Sequence, residues 1–593
     1  MLKRFLPTNN AANMSLVFTG LMFLLPFVNM HHQLPITSFY SEWIAGVLGL
    51  AAITPILCTA KYSTIRIPQI SLVFIGLTVI LGLQWTMGML QSTQYTLLML
   101  SYLVWAFLLA VIGSYLRQEF GWERLATTLA WFLLIAGIIN ASIVMLQIVV
   151  RTGGTITFLP FLTDYGTISQ ANHFADFITL SAISLIYLYI KGRFSPGFFT
   201  LILIWLLQIL TFSGSRSAWL YLIAITTLSF ILHKATFKQH KETSTSRHLL
   251  HISMLVLPTF AVVQLFTYYV IPNDLVNSII QRIADATTTD TPSARLHIWY
   301  DSLRLFMQSP WLGIGAGAMR LESFQLLDMP TAMAYKGIFE HAHNVFLHLL
   351  VEMGIGAFFI ALIGLIAWVR AFKWQELNLE TWWAIALLTV LGIHSMLEYP
   401  LWYAYFLGIA ALLLGASDEK FASINLRKLS TPLSAKLACS GLTAILLVGA
   451  VNLSTMLVAN VKLENSLQQL KNTDLYKEKE LDWVRRYTLL SQYVVLMNAI
   501  SMVVDRNDID NQFLLNQSAM AFMPLRKIAY QHALLLKLKG DQINAKNQLK
   551  RTLIVYPYDV KYLEQYVPSQ YRKDFLDILS EANPVLSTEI VVN

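Results

Sequence analysis

LATTLAWFLLIAGIINASIVMLQIVV, residues 125–150, runs for 26 positions without a charged side chain. Such a stretch is apolar on every face, and a helix of roughly 20 such residues satisfies its own backbone and crosses the hydrocarbon of a bilayer. Outward from it, similar runs lie near 14–30, 43–60, 70–90, 95–115, 174–190, 198–213, 217–232, 249–271, 344–369, 381–397, 402–416 and 437–459, which makes about thirteen. Lys3 and Arg4 precede the first run, but no small-residue cleavage site follows Met30, so the run reads as a span rather than a removable leader.

The whole-chain composition agrees. Of 593 residues, 56% are hydrophobic and only 13% charged, with a mean hydropathy of +0.55. Soluble domains carry about a quarter charged residues, so an ordinary cytosolic enzyme, a disordered scaffold and a nucleic-acid-binding domain are excluded. The two cysteines, Cys58 and Cys439, sit in apolar runs and offer neither a disulfide framework nor a paired metal motif. The expected fold is an all-α polytopic membrane protein.

The net charge of +8 is explained by topology. With the N-terminus inside, the segments 1–13, 61–69, 116–124, 191–197, 233–248, 370–380 and 417–436 hold 18 Lys and Arg. The outer segments before the tail hold seven: Arg151, Arg216, Arg282, Arg295, Arg304, Arg320 and Lys336. Short cytoplasmic loops collect basic residues in this way. Thirteen spans then place a long loop, 272–343, and the tail, 460–593, together on the outer face. The tail reads as helical. Its stretch 530–557, YQHALLLKLKGDQINAKNQLKRTLIVYP, has the spacing of two helices around a Gly-Asp turn and resembles one tetratricopeptide unit.

Ionisable residues inside a membrane are costly and mark candidate sites. Asp176 and Glu352 are the two acids within spans, and His173, His251, His348 and His394 lie in spans or at their edges. Five polar clusters stand out. Gln170, Asn172, His173 and Asp176 fall within seven residues at the mouth of the sixth span, more than a helix cap on Ser169 requires. Ser213-Gly-Ser-Arg216 forms a tight polar turn at a helix start, where an arginine suits a phosphate. In the long loop, Arg295, Trp299 and Tyr300 share helical spacing, followed by Arg304 and the glycine-rich Pro310-Trp-Leu-Gly-Ile-Gly-Ala-Gly317. Glu340-His341-Ala-His343-Asn344 enters the next span, which carries His348, Glu352 and Gly354. Last, His394-Ser-Met-Leu-Glu398-Tyr399-Pro-Leu-Trp402-Tyr403 makes a short aromatic outer turn.

The two loop histidines with Glu340 or Glu398 have the ligand types of a zinc site. No HExxH motif or cysteine pair accompanies them, so no metal and no other cofactor is expected. Arginines facing one side of an apolar bundle fit an anionic lipid headgroup such as a diphosphate. A nearby histidine fits general-base work on a hydroxyl. The chemistry implied is transfer from a lipid diphosphate to a hydroxyl.

The pattern Arg295…Trp299…Pro310-Trp-Leu-Gly-Ile-Gly-Ala-Gly317…His341-Ala-His343-Asn344…Leu347…Leu350…Glu352…Gly354 resembles the core signature of the O-antigen ligase/polymerase (Wzy_C) superfamily of bacterial inner-membrane glycosyltransferases, over about 200–415. Ser169-Gln170-Ala-Asn172-His173 and Glu398-Tyr399-Pro-Leu-Trp402-Tyr403, together with the extra tail, are similar to its PglL-type protein O-oligosaccharyltransferases. The resemblance implies a GT-C-type bundle of about 13 transmembrane helices, residues 1–459, whose catalytic periplasmic loop is 272–343. A helical periplasmic domain with a tetratricopeptide-like unit, 460–593, follows. It implies a Gram-negative inner-membrane enzyme that moves a preassembled oligosaccharide from undecaprenyl diphosphate to Ser or Thr of an exported acceptor protein, such as a pilin, on the periplasmic side. Membrane lipids surround it, and nucleic acid is not a partner.

By the same resemblance, His343 matches the essential loop histidine that activates the acceptor hydroxyl, with His341 as a substitute. Arg216 and Arg295 match the arginines that hold the diphosphate. Gln170 and Tyr399 match substrate-positioning groups, with Asn172, His173, Asn344 and Glu398 in support. Glu352 is expected to orient a neighbouring helix rather than to react. A lipid A core or growing O-antigen is the alternative acceptor. A transporter or flippase is the rival of a different class, but the paired broken helices and repeat symmetry of transporters are not found in the sequence.

Overall fold

The computed structural model describes residues 8–57, 64–151, 165–168, 170–239, 244–271, 294–328, 337–425, 432–473, 478–557 and 566–583. The N-cap expected at Ser169 and the cations Arg282 and Lys336 lie outside the described residues.

Each of the thirteen apolar runs falls on a helix, and among the described residues eight helices are long and apolar enough to cross a membrane. Three shorter apolar helices, Pro196–Phe212, Leu379–Ser395 and Ala404–Ser417, pack among them. The runs 95–115 and 125–150 belong to one helical stretch, Thr93–Arg151, broken at Gly121 (φ 69°, ψ 172°). That backbone conformation is open to glycine and strained for other residues. The break falls between Arg117 and Arg124, in a segment counted above among the basic inner loops.

One departure from an all-helical chain is short. Strand Thr64–Pro68 pairs antiparallel with Phe421–Asn425, with Ile67 opposite Ala422. Arg66 lies over the Phe421 ring at 4.3 Å. The ribbon ties together two basic segments assigned above to the same face. Neither strand is long or alternating enough to be read from sequence, so its partner decides it.

Helix Ala171–Ile190 lies at the centre of the bundle, with every residue from His173 to Leu188 buried. Helices from the 93–151 stretch, 196–212 and 379–395 enclose it. A surface helix buries one stripe, whereas this one is covered all round, so its N-terminal end is held in place.

Helix Val345–Ala371 is interrupted at Gly354 (φ 76°, ψ −176°). The glycine-rich stretch 310–317 lies in that interruption. Ile314 N–H donates to Val351 O at 2.9 Å, and Ile355 N–H donates to Pro310 O at 2.9 Å. A Cβ at Gly354 would stand 2.2 Å from Trp311 O, and one at Gly313 would stand 2.4 Å from the Glu352 carbonyl carbon. These two glycines are therefore required by close backbone approach as well as by positive φ. The Gln84 side chain bridges the crossing, donating to Leu312 O at 2.6 Å and to Glu352 O at 2.7 Å.

The tail is helical, as expected. Helices Arg526–Leu538 and Gln542–Val555 flank Gly540 (φ +88°), and Asp541 caps the second by accepting from Asn544 N–H. Their faces are covered by Ser491–Ser501, Ile509–Phe522 and Arg572–Ala582. Helix Pro432–Thr473 runs from the last apolar stretch through position 460 without a break. The tail packs on the long loop, where Phe324 and Leu327 share a core with Leu496, Ala519 and Met520.

Candidate active site

At the head of the central helix, Gln170 has extended backbone, and its side chain accepts from His173 N–H at 2.6 Å. Gln170 is thus the N-cap, a role in which amide side chains satisfy an otherwise orphaned helix N–H. The cap sets Asn172 at the mouth of the bundle. Its Nδ2 donates to Glu398 Oε1 at 2.7 Å, and its Oδ1 accepts from Ser215 Oγ at 2.7 Å. Ser215 is held by the turn at Gly214 (φ 62°), where Ser215 N–H donates to Ser213 Oγ. Arg216 follows as an exposed residue at the start of helix Ser217–Lys238.

Helix Ala294–Gln308 delivers Arg295, whose Nη2 donates to Glu398 Oε1 at 2.7 Å. On the other carboxylate oxygen, His343 Nδ1 lies 2.8 Å from Glu398 Oε2. Three segments distant in sequence therefore converge on one carboxylate that is 5% exposed. Burial pushes the Glu398 carboxyl up, but the hydrogen bonds and charges of His343 and Arg295 outweigh it and hold the group at about 2. It is an anion throughout the physiological range.

His343 has a positive φ of 51°, unlike every other described residue apart from glycines. Non-glycine residues in that region are uncommon, and such strain persists where surrounding contacts enforce it. Asn344, next in sequence, enforces it: its side chain accepts from Phe346 and Leu347 N–H, both at 3.1 Å, and caps helix Val345–Ala371. With a carboxylate on Nδ1, the neutral imidazole carries its hydrogen there, which leaves Nε2 as the basic nitrogen.

Tyr399 divides the site. Its ring meets His343 edge-on at 5.3 Å and His173 edge-on at 5.7 Å, and the His341 ring lies 4.2 Å from it. His341 makes no contact with Glu398 among the described interactions. It packs on Tyr399, Trp402 and His348, and burial pushes its ring well below the usual histidine range, so it is neutral. The geometry sets His343, not His341, against the carboxylate. His173 is buried among aromatic rings and His394 rather than bonded to the anion. Glu352 accepts from Gly317 N–H at 2.9 Å and Met319 N–H at 3.2 Å, and so fixes the start of helix Met319–Gln325.

Of the residues singled out in the sequence, the fold brings Asn172, Arg295, His343 and Glu398 into one hydrogen-bonded group, with Tyr399 against it. Gln170 and Asn344 act as caps, and Arg216 stands beside Ser215 without touching Glu398 in the described contacts. The central position of Glu398 was not legible, because nothing local separates it from an ordinary turn glutamate. Ser215 lay unremarked inside a quoted motif. Gln84 had a signal, a lone amide within an apolar run.

Comparison with known proteins bears on the same residues. Residues 201–362 match the family described as O-Antigen ligase. Residues 382–570 match the family described as Virulence factor membrane-bound polymerase, C-terminal. The second match extends beyond the membrane helices into the tail. A "General O-oligosaccharyltransferase" of Acinetobacter baylyi is 25% identical over 415 residues, 68% of this chain and 69% of that protein. A "ComP-specific O-oligosaccharyltransferase" of the same organism is 25% identical over 410 residues, 67% and 69% respectively. The chain is thus a multi-pass membrane protein similar to the O-antigen ligase (Wzy_C) family and to protein O-oligosaccharyltransferases.

Proposed function

We propose that the protein transfers a preassembled oligosaccharide en bloc from undecaprenyl diphosphate to Ser or Thr hydroxyls of exported proteins, pilins among them, at the periplasmic face of a Gram-negative inner membrane. The observation that carries the reading is the convergence of His343 and Arg295 on the Glu398 carboxylate. The names of both relatives support an oligosaccharide as the group moved. In this reading the chain crosses the membrane about thirteen times, residues 1–459 form the catalytic part, and the loop 272–343 and the tail 460–593 lie outside.

The acceptor oxygen attacks the anomeric carbon of the first sugar as its proton passes to His343 Nε2. The bond between that carbon and the diphosphate oxygen breaks, and undecaprenyl diphosphate departs with the electron pair. Glu398 orients the imidazole and stabilises its cation, as a carboxylate does behind a histidine base. Arg295, half turned to Glu398, and Arg216, exposed at a helix start, meet the charge that grows on the leaving diphosphate. Tyr399 and Gln170 set the floor on which the substrates lie.

Intact-mass spectrometry of periplasmic and pilin proteins tests this, comparing cells with the gene, without it, and with His343→Ala. The expected result is an exported protein lighter by a glycan in both defective strains. Unchanged protein masses, with lipopolysaccharide that has lost its O-antigen, would overturn the protein acceptor in favour of a lipid one.

A further inference from the structure

Beside His341, whose ring packs on Tyr399, lies a cavity of about 240 Å³. One wall comes from Tyr95, Trp402, His341 and His348. Another comes from the tail: Gln492, Tyr493 and Phe522. Arg320 joins the two. It pairs with Glu340, and its Nη1 donates to Phe522 O at 2.9 Å, so a tail carbonyl is fastened to the lining of the cavity.

The polar groups here are under-used. His348 is 3% exposed and neither ring nitrogen has a hydrogen-bond partner among the described residues, although Nε2 stands 3.2 Å from Glu352 Oε2. His341 Nδ1 is buried and also without one. Buried donors and acceptors are ordinarily satisfied, and groups left over in a cavity wall point to a ligand that completes them.

We infer that this cavity is a saccharide subsite, which takes sugar of the lipid-linked donor between the membrane helices and the tail. The inference rests on the glycan-transfer reading above. Three features select sugar. Tyr95, Trp402 and Tyr493 line it with aromatic rings, a residue type suited to the C–H face of a pyranose. Glu340, Gln492 and the two histidines provide mixed donors and acceptors for hydroxyls. The one arginine is already matched by Glu340, so the cavity offers a phosphate no uncompensated cation. An extended peptide is held through its backbone at a strand edge or groove, and the described walls present side chains from helices and loops instead. The location also fits, since the path from His341 through Tyr399 to His343 is a single aromatic ring thick.

The test uses the full-length protein in lipid nanodiscs and two probes. One is undecaprenyl diphosphate bearing the cell's own oligosaccharide, extracted from cells lacking this gene; the other is undecaprenyl diphosphate without sugar. Gln492→Trp fills the cavity from the tail side, and Tyr493→Ala removes a ring face. Native mass spectrometry is expected to give about tenfold weaker binding of the glycan-bearing lipid for each variant, with binding of the sugar-free lipid unchanged. Equal weakening of both lipids, or of neither, would overturn the subsite. So would a raised KM for the acceptor protein with unchanged donor binding, which would make this an acceptor cavity. Donor binding is read without acceptor. Wild-type protein that prefers the glycan-bearing lipid yet modifies no protein therefore sinks the transfer reading and leaves the subsite standing.

Discussion

Two glutamates with nearly the same burial, Glu352 at 4% exposed and Glu398 at 5%, do different work. The partners of Glu352 are mostly backbone: Gly317 and Met319 N–H groups donate to its carboxylate, and the stretch they belong to lies in the break at Gly354. The partners of Glu398 are side chains, from Asn172, Arg295 and His343. A carboxylate that accepts backbone N–H groups fixes where a chain goes. One that accepts an imidazole and a guanidinium fixes a proton and a charge, which is what a transfer reaction uses. Burial alone does not distinguish a structural acid from a chemical one, whereas the identity of its donors does.

The comparison breaks first at His343. His343→Ala is expected to lower transfer by about 10³-fold, within the usual range for a general base. His341→Ala, measured alongside with purified donor and acceptor, is expected to cost far less. Equal losses would reject the assignment of roles drawn from the Glu398 contact.

Glu398→Gln keeps the shape but removes the charge, and about a hundredfold loss in kcat is expected. Acid unfolding sharpens this. Folding lowers the Glu398 pKa from 4.5 to about 2. Its contribution is therefore complete above 4.5 and is lost as pH falls toward 2. Between those values the unfolded chain binds a proton that the folded chain refuses, so wild-type stability falls as pH drops. Melting temperatures from pH 5 down to 3 should accordingly fall more steeply for wild type than for Glu398→Gln. Parallel slopes would mean that the carboxylate is not held down.

For Glu352 the order of effects reverses. Glu352→Gln leaves a single acceptor oxygen for two N–H groups, so a loss of about 1–3 kcal/mol of stability is expected. Its kcat per folded molecule should fall less than that of Glu398→Gln. Thermal unfolding beside single-turnover assays separates the two quantities. Gly354→Ala acts on the same crossing, because its Cβ would stand 2.2 Å from Trp311 O at a positive φ. About 1–3 kcal/mol is expected from the conformational strain alone, read as a lower melting temperature or loss of folded protein.

The smallest effect is at the cap. Asn344→Ala removes the acceptor for two N–H groups and should cost about 1 kcal/mol, with a drop in kcat because His343 loses its support. Asn344→Asp restores an acceptor at a helix start and should recover both; failure to recover kcat would separate the cap from the base.

Much of the scaffold was readable because its cause is local. A run such as 125–150 must be a helix in lipid whatever surrounds it, and the Gly-Asp turn of the tail ends one helix and caps the next with neighbouring atoms. The strand pair 64–68 and 421–425 was not readable, since each strand exists through a partner more than 350 positions away. The candidate site was readable as residue types. His343, Arg295 and Asn172 each stood in a conspicuous motif, yet the motifs did not say which of them touch.

The sequence by itself determined that this chain is a helical membrane protein whose apolar runs are separated by short basic segments. Apolar runs and short basic segments act through the solvent they meet, residue by residue. Only the tertiary structure decided that His343 rather than His341 meets the Glu398 carboxylate. It also decided that the tail walls a cavity one ring away. The bonds to Glu398 span 226, 103 and 55 positions of chain. A hydrogen bond requires its partners within about 3 Å, and at those separations only the packing of helices around 171–190 places them there.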